Sequence, residues 1–514
     1  MGAALALFPD VHALIRGRRL QIGAGLLVLL LFSGEARADF LVTLPAAASL
    51  HGVPPAFFHS DVWVFNGSGE SETTVTATYR CAGGSCGDAV QTFTIPPRQV
   101  RAFPDIVGTL FGAPETFGAI EFESRSLIVV TSRLYSPARG EPTIGMYVGG
   151  LKEDDAHESA VLTSLSHSAD PVTGYRTNVG VYNPNDVAQP LVFTFFAATG
   201  ALLGQFFDTV GPRRPLQIND AEIFRRLDIA GDVRDFTCVV SGDRVHPLFA
   251  YASVIDNRSA DPFYIPGEDA AGLAVSKVTL PAAASLRGIG GTFFQTDVRV
   301  WNASSTAFAA VTVRYVCFTG ACGIAQREVL IAPRQTVVLD DVVGTFFGAP
   351  GTGGAVEFVS EEPIVVTSRL YTPARSEPTF GMFVPGMVPD RASPAQVLNG
   401  LARSGDSRVN VGVFNDADPQ VITYRLFDGN GSLLGIATRS FGKREAFQVN
   451  DIFSFLGVTA ASVESAYVLV EGSELFPIFS YAAVIDNRSQ DPIFIPGEDD
   501  PEKPPIRPSG VGSR

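Results

Sequence analysis

Reactive side chains are scarce in this chain. Six histidines and five cysteines serve 514 residues. His51, His59, His157, His167 and His246 stand singly, and none falls in a His-Glu-x-x-His pattern, so the sequence offers no zinc-protease centre. Gly67-Ser68-Gly69 lacks the spacing of a nucleophile elbow, and Gly149-Gly150 and Gly353-Gly354 open no phosphate loop. Charged residues make up only 18% and the balance is acidic, which excludes nucleic acid and anionic lipid as expected partners. After residue 38 no run of 18 uninterrupted apolar residues occurs, so no membrane span is expected in the mature chain.

The one long apolar run is at the start. Arg16, Arg18 and Arg19 precede an apolar stretch from Leu20 to Phe32, and Ala36-Arg37-Ala38 follows as a small-x-small site. This is the pattern of an export signal over residues 1–38, cleaved between Ala38 and Asp39. The leader holds four of the 38 basic and two of the 53 acidic residues, so the mature chain carries a net charge of −17. Export places the chain in an oxidising compartment, at the cell surface, outside the cell or in a periplasm. Cys81 with Cys86, and Cys317 with Cys322, are then expected to bridge hairpin tips as two local disulfides. Two thiols with no neighbouring histidine fall short of a structural zinc site. Cys238, within the apolar run Phe236 to Val240, is expected to be buried and inert.

What the chain has is one phrase written four times. Ser60-Asp61-Val62-Trp63-Val64-Phe65-Asn66 returns from Thr177 to Asn183, from Thr296 to Asn302 and from Val409 to Asn415, at steps of 117, 119 and 113 residues. Such a period means four copies of one domain. A second level pairs them. Val42–Leu50 reappears at Val278–Leu286, and Val254–Ser259 at Val484–Ser489, so the order is A-B-A-B and A and B are expected to pack together. The modules are placed at 40–150, 158–268, 276–386 and 395–498, with a disordered tail at 499–514. Lys152–Asp155 and Gly267–Asp269 read as polar links between them.

Within a module the apolar period is two. Val62 and Val64 share a core face, while the residue between them is Trp63, Gly180, Arg299 or Gly412 and must face solvent or a neighbour. An aromatic follows, and then an Asn that suits a turn. Strand and turn signals give about seven strands per module and one short helical turn led by Asp or Asn, with no room for a βαβ crossover. Each module also carries a basic turn, Pro97-Arg98, Pro212-Arg213, Pro333-Arg334 or Lys443-Arg444. These features, above all Arg176–Pro184 and Tyr251–Asn257, resemble the tandem immunoglobulin-like β-sandwich modules of exported bacterial proteins, many of them uncharacterised. The resemblance implies an all-β fold of four tandem immunoglobulin-like sandwiches and carries no catalytic residue. It departs from antibody domains, because the paired cysteines are too close in sequence to bridge two sheets.

Three polar features remain. Asp256 and Asp261, matched by Asp486 and Asp491, are either calcium ligands in a loop or Asx-turn residues of a hairpin, and the turn reading is favoured. Arg133 and Arg369 lie in apolar strands, where they would meet an acidic partner or the A-B contact. Five Asn-x-Ser sequons have no role assigned. The expectation is a non-enzymatic exported structural or interaction protein, adhesion-like, with no cofactor and with a surface protein or glycan as its unknown partner. The alternatives are a carbohydrate-binding array using exposed aromatics such as Trp63 and, below it, a hydrolase with a site between modules.

Overall fold

The computed structural model describes residues 40–53, 56–82, 86–136, 142–269, 277–318, 322, 324–372 and 378–503. The export signal, its cleavage site at Ala38 and Asp39, and residues 504–514 lie outside the described residues.

Module A1 contains β1 (Phe40–His51), β2 (Phe57–Asn66), β3 (Thr73–Cys81), β4 (Ala89–Ile95), β5 (Val100–Phe103), β6 (Thr116–Ser124), β7 (Ile128–Ser136), β8 (Ile144–Gly149) and β9 (Leu151–Lys152). Module B1 repeats the series with β10 (Ser159–His167), β11 (Tyr175–Asn183), β12 (Gln189–Phe196), β13 (Leu202–Val210), β14 (Arg214–Ile218), β15 (Val233–Ser241), β16 (Phe249–Asp256), β17 (Pro262–Pro266) and β18 (Glu268–Asp269). A2 and B2 follow over Lys277–Pro385 and Ala395–Asp499. Strands make most of the chain, and the modules are tandem β-sandwiches.

In B1 one sheet runs β13-β12-β15-β10-β18 and the other β14-β11-β16-β17. The triplets β12-β15-β10 and β11-β16-β17 match the D-E-B and C-F-G order of an immunoglobulin sandwich. β13 is added at the edge of the first sheet beside β12 and β14 at the edge of the second beside β11, and β18 takes the place of strand A. A1 has the same order, but its two layers stay joined because Ser49–His51 of β1 pairs with Phe57–His59 of β2. β1 turns from one layer to the other at a bulge between Leu44 and Ala47, where Pro45 has no N–H to give the ladder.

Three expectations need correction. The polar links Lys152–Asp155 and Gly267–Asp269 are not loops throughout: Leu151–Lys152 pairs with Val42–Thr43, and Glu268–Asp269 pairs with Ala160–Val161. The tail is ordered at its start. Asp499 pairs with Gln396, Asp500 is buried, and Lys503 reaches Glu471. Further, the count of seven strands per module is too low, because the added edge strands and the short closing strands escape the period-two signal.

The repeated phrase has three parts. Val62 and Val64, and their counterparts Val179 and Val181, Val298 and Val300, and Val411 and Val413, are buried in each module's own core. The Asn is fully buried, and its Oδ1 accepts the N–H two residues on in all four copies, at 3.0 Å for Asn66, 3.1 Å for Asn183, 2.9 Å for Asn302 and 3.3 Å for Asn415. Its Nδ2 donates to turn carbonyls, such as Ile95 and Ile331. The aromatic between them points away from the valines, as alternation requires.

One helical turn occupies the same place in every module: Ile106–Thr109, Asp220–Leu227, Val342–Phe346 and Ile452–Phe455. Asp105 and Asp341 accept from Gly108 N and Gly344 N, and Asn219 accepts from Glu222 N. Asp451 leads the last turn without capping a backbone N–H. Three additional 3₁₀ turns, Glu153–Asp155, Ile289–Gly291 and Pro389–Arg391, were not expected.

Candidate functional site: the interfaces between modules

The outward aromatics are fully buried, each against a different module. Tyr182 of B1 packs with Ala119 of A1. Trp301 of A2 packs with Val161 of B1, and Phe414 of B2 with Val316 and Ala355 of A2. Each module therefore docks its aromatic on the module before it in the chain. In A1, the first of the four described modules, Phe65 packs with Val397, Tyr467 and Leu469 of B2. Head-to-tail contacts of one kind close into a ring when the rotation per step allows it, and here four steps suffice.

The basic turns point the same way. Arg98, Arg213, Arg334 and Arg444 all have positive φ, between 50° and 60°. Arg213 of B1 meets Glu121 of A1 at 3.0 Å, and Tyr182 Oη donates to the same buried carboxylate at 2.6 Å. Arg444 of B2 lies 3.8 Å from Glu357 of A2, and Arg334 of A2 stacks over Phe196 of B1. Arg98 of A1 pairs with Asp500, just past the last strand of B2, at 2.7 Å. The residue between the valines also meets a neighbour or a ring. Arg299 reaches Asp235 of B1 at 2.5 Å, and Gly180 and Gly412 lie under Tyr251 and Tyr481. Trp63 is only 7% exposed, covered by Asn399 and Gly400 of B2, so it is not available as a sugar-stacking platform.

The Asp-rich loops serve the same joints. Asp256 Oδ1 accepts the N–H of Arg258 at 2.8 Å, which is an Asx turn. Its Oδ2 accepts from Thr379 N at 3.0 Å and Thr379 Oγ1 at 2.5 Å, in A2. Asp261 Oδ2 accepts from Gly381 N at 2.9 Å and Arg369 Nη2 at 3.0 Å. The second copy reaches back to A1. Asp486 accepts from Thr143 N at 2.9 Å and Thr143 Oγ1 at 2.6 Å, Asp491 accepts from Gly145 N at 2.9 Å, and Arg133 lies 3.9 Å from Asp491. The B2-to-A1 joint thus repeats the B1-to-A2 joint, although its partners are about 340 residues apart. Among the described residues no group of three or more His, Cys, Asp or Glu is placed to hold a metal ion.

Burial dominates the electrostatics here. The Asp261 carboxyl is pushed up to about 7 by burial, which outweighs the pull of Arg369 and of the Gly381 N–H. Asp491 is raised by burial and by the charge of Asp261. One oxygen of each, Oδ1, has no hydrogen-bond partner among the described residues.

At the centre, β8, β17, Phe380–Pro385 and Pro492–Pro496 meet, one strand from each module. They enclose a cavity of about 160 Å³ lined by Met146, Phe263, Met382 and Phe494, with Glu268 and Arg391 among its polar residues. Burial pushes Glu268 up to about 7.

A buried His–Asp pair resembles half of a catalytic triad. His167 Nδ1 lies 2.6 Å from Asp220 Oδ2, and the ring stacks on Phe224 with centroids 3.7 Å apart. In B2 the matching pair is Arg403 and Asp451 at 3.8 Å. A guanidinium in the imidazole's place fits a tie between the first strand and the helical turn, not proton transfer.

Cys81 and Cys86 stand at disulfide distance, with Cα atoms 6.0 Å apart, and so do Cys317 and Cys322, also at 6.0 Å. Cys238 is buried, which pushes its thiol well above the usual range. The matching hairpin tips of the B modules dock forward: Ala198 O accepts from Thr336 N at 2.9 Å, and Gly429 O from Val100 N at 2.8 Å.

No family model matches the chain, and no curated protein matches it. Among solved structures it is similar to a crystal structure of a "tetra-tandem repeat in extending region of large adhesion protein". That match is 11% identical, covers 84% of this chain and 93% of the other, and has a TM-score of 0.10. No helix among the described residues is long and apolar enough to cross a membrane.

Proposed function

We propose that this chain is a non-enzymatic, exported structural or interaction protein, adhesion-like in role, whose modules at 40–150, 158–268, 276–386 and 395–498 work as one closed body. Residues 1–38 direct export and are removed between Ala38 and Asp39, and the two cysteine pairs then oxidise. The partner is a surface protein or a glycan met by the exposed loops. One observation carries the reading. The aromatic and the basic-turn Arg recur in every copy and the loop carboxylates in both B copies, and all of them are used where modules touch. A constellation selected for reactivity would recur with free polar atoms facing a common space, as the His167–Asp220 pair fails to do. The test is to assay the purified mature chain against glycoside, ester and peptide substrate panels. We expect no turnover above that of heat-denatured protein. Saturable turnover that co-purifies with the folded chain would refute the proposal.

A further inference from the structure

The chain builds one cleft twice. Between A1 and B1 lies a groove of about 960 Å³, and between A2 and B2 its counterpart of about 340 Å³, both in the size range of small-molecule sites. The A wall is apolar: Leu50, Phe58, Leu134 and Met146 in the first cleft, and Leu286, Phe294, Leu370 and Met382 in the second. The B wall is polar: Arg176, Asn178, Gln217 and Asn219, then Arg408, Asn410, Gln448 and Asn450. All eight positions keep their residue type. Adjacent residues on the same short strand do not, since Arg214 and Leu216 correspond to Glu445 and Phe447.

The polar walls share a second property. Their amide oxygens are spent inside module B. Asn178 and Asn410 Oδ1 accept from Asp220 N and Asp451 N, each at 3.2 Å. Gln217 and Gln448 Oε1 accept from Tyr251 and Tyr481 Oη at 3.2 and 2.8 Å, and Asn219 Oδ1 accepts from Glu222 N at 3.0 Å. The nitrogen ends are therefore the ends left to meet a ligand; among the described residues only Gln448 Nε2 of these has a partner, Asn450 Oδ1 at 3.0 Å. Each arginine is held by side-chain amides: Arg176 donates to Asn257 at 2.8 Å, and Arg408 to Asn487 at 2.5 Å and Gln490 at 3.0 Å. The carboxylates near Arg176 are engaged elsewhere, Asp220 by His167 and Thr177 N, and Asp256 by its own turn and Thr379. A partly buried guanidinium and a row of N–H donors facing an apolar wall fit an acceptor-rich head on an apolar body.

We propose that each A–B cleft binds one small amphipathic organic anion, with its apolar body on the A wall and its carboxylate or similar head on the Arg-Asn-Gln row of the B wall. The duplicated geometry gives two sites per chain.

Calorimetric titration with decanoate tests this directly, with decyltrimethylammonium and acetate as controls. We expect two decanoates per chain and binding at least about tenfold weaker for either control, because the ammonium loses the charge-assisted contact and acetate loses the buried alkyl chain. Arg176→Gln should leave one site, and Arg176→Gln with Arg408→Gln none, with circular dichroism and melting temperature unchanged. Should the arginine variants not fold, Gln217→Glu with Gln448→Glu places a carboxylate at each donor row and should weaken decanoate by the same factor. Absence of decanoate binding, equal binding of the ammonium amphiphile, a stoichiometry other than two, or full binding in the folded variants would overturn the proposal.

Discussion

Asp261 and Asp491 occupy the same loop position and hold the same kind of joint, but they are not equivalent. Asp261 pairs directly with Arg369, which is 8% exposed, while Arg133 stands farther from Asp491 and donates instead to Thr143 at 2.8 Å. Removing one partner of a buried pair leaves an uncompensated charge and costs roughly 3–5 kcal/mol. Asp261→Ala should therefore lower the urea midpoint clearly, and Asp491→Ala should lower it less. Equal losses would mean that the Arg369 contact has no special weight.

The same carboxyls give the fold a pH dependence. Asp261 and Glu268 sit near 7 in the folded chain, against ordinary values of 3.8 and 4.5, and Asp491 is also raised. The folded chain thus keeps protons that the unfolded chain releases. The contribution is complete below the ordinary carboxylate range and is lost as pH climbs through about 7. Thermal midpoints should fall between pH 5 and pH 8, and Asp491→Asn should flatten that fall. A rise over the same interval would contradict the assignment.

At the scale of elements, the phrase strand divides its labour by alternation. The valines fill their own module, and the glycine of the B copies lets a tyrosine ring lie flat across the strand. A methyl on Gly180 or Gly412 would overlap the Tyr251 or Tyr481 ring, whose hydroxyl is tied to Gln217 or Gln448. Neither ring has room to retreat, since Tyr251 packs in the A1 core and Tyr481 in the A2 core. Gly180→Ala should destabilise by about 1–3 kcal/mol through overpacking, measured by chemical denaturation. A neutral effect would show that the A–B contact is loose.

The cysteine-closed hairpin tips are a lesser device. A loop this short removes little unfolded-state entropy, so Cys81→Ser with Cys86→Ser should cost at most about 2 kcal/mol. The B modules close the same hairpin without cysteine, through Gly200 and Gly431, whose φ values of 84° and 79° favour glycine. A collapse of the fold on reduction would contradict this ranking.

At the scale of the whole molecule, the four sandwiches and their A-B-A-B order were legible because core alternation and turn chemistry are local. The outward face was half legible. Trp63 and Phe65 share one face by period two, and Arg98 recurs beside it, but a sequence does not say whether such a face meets water or a neighbour. Trp63 read as an available aromatic, and it is covered by Gly400. Closure was not legible at all. Tyr467 Oη donates to Arg98 O at 2.9 Å and Arg98 pairs with Asp500, contacts that nothing local encodes. The donor rows were visible as Arg-x-Asn and Gln-x-Asn, but only the Tyr251 and Tyr481 hydroxyls reveal which amide end is free.

The central claim is that B2 docks on A1 as each module docks on the one before it. Small-angle scattering of the mature monomer measures this directly. A closed body of this length has a radius of gyration of about 23 Å, whereas four such modules in line would give roughly 40 Å. A value near the first, raised in a Phe65→Asp variant that keeps its β-sheet signal, is the expected result. A value near the second for the unmodified chain would contradict the closed ring.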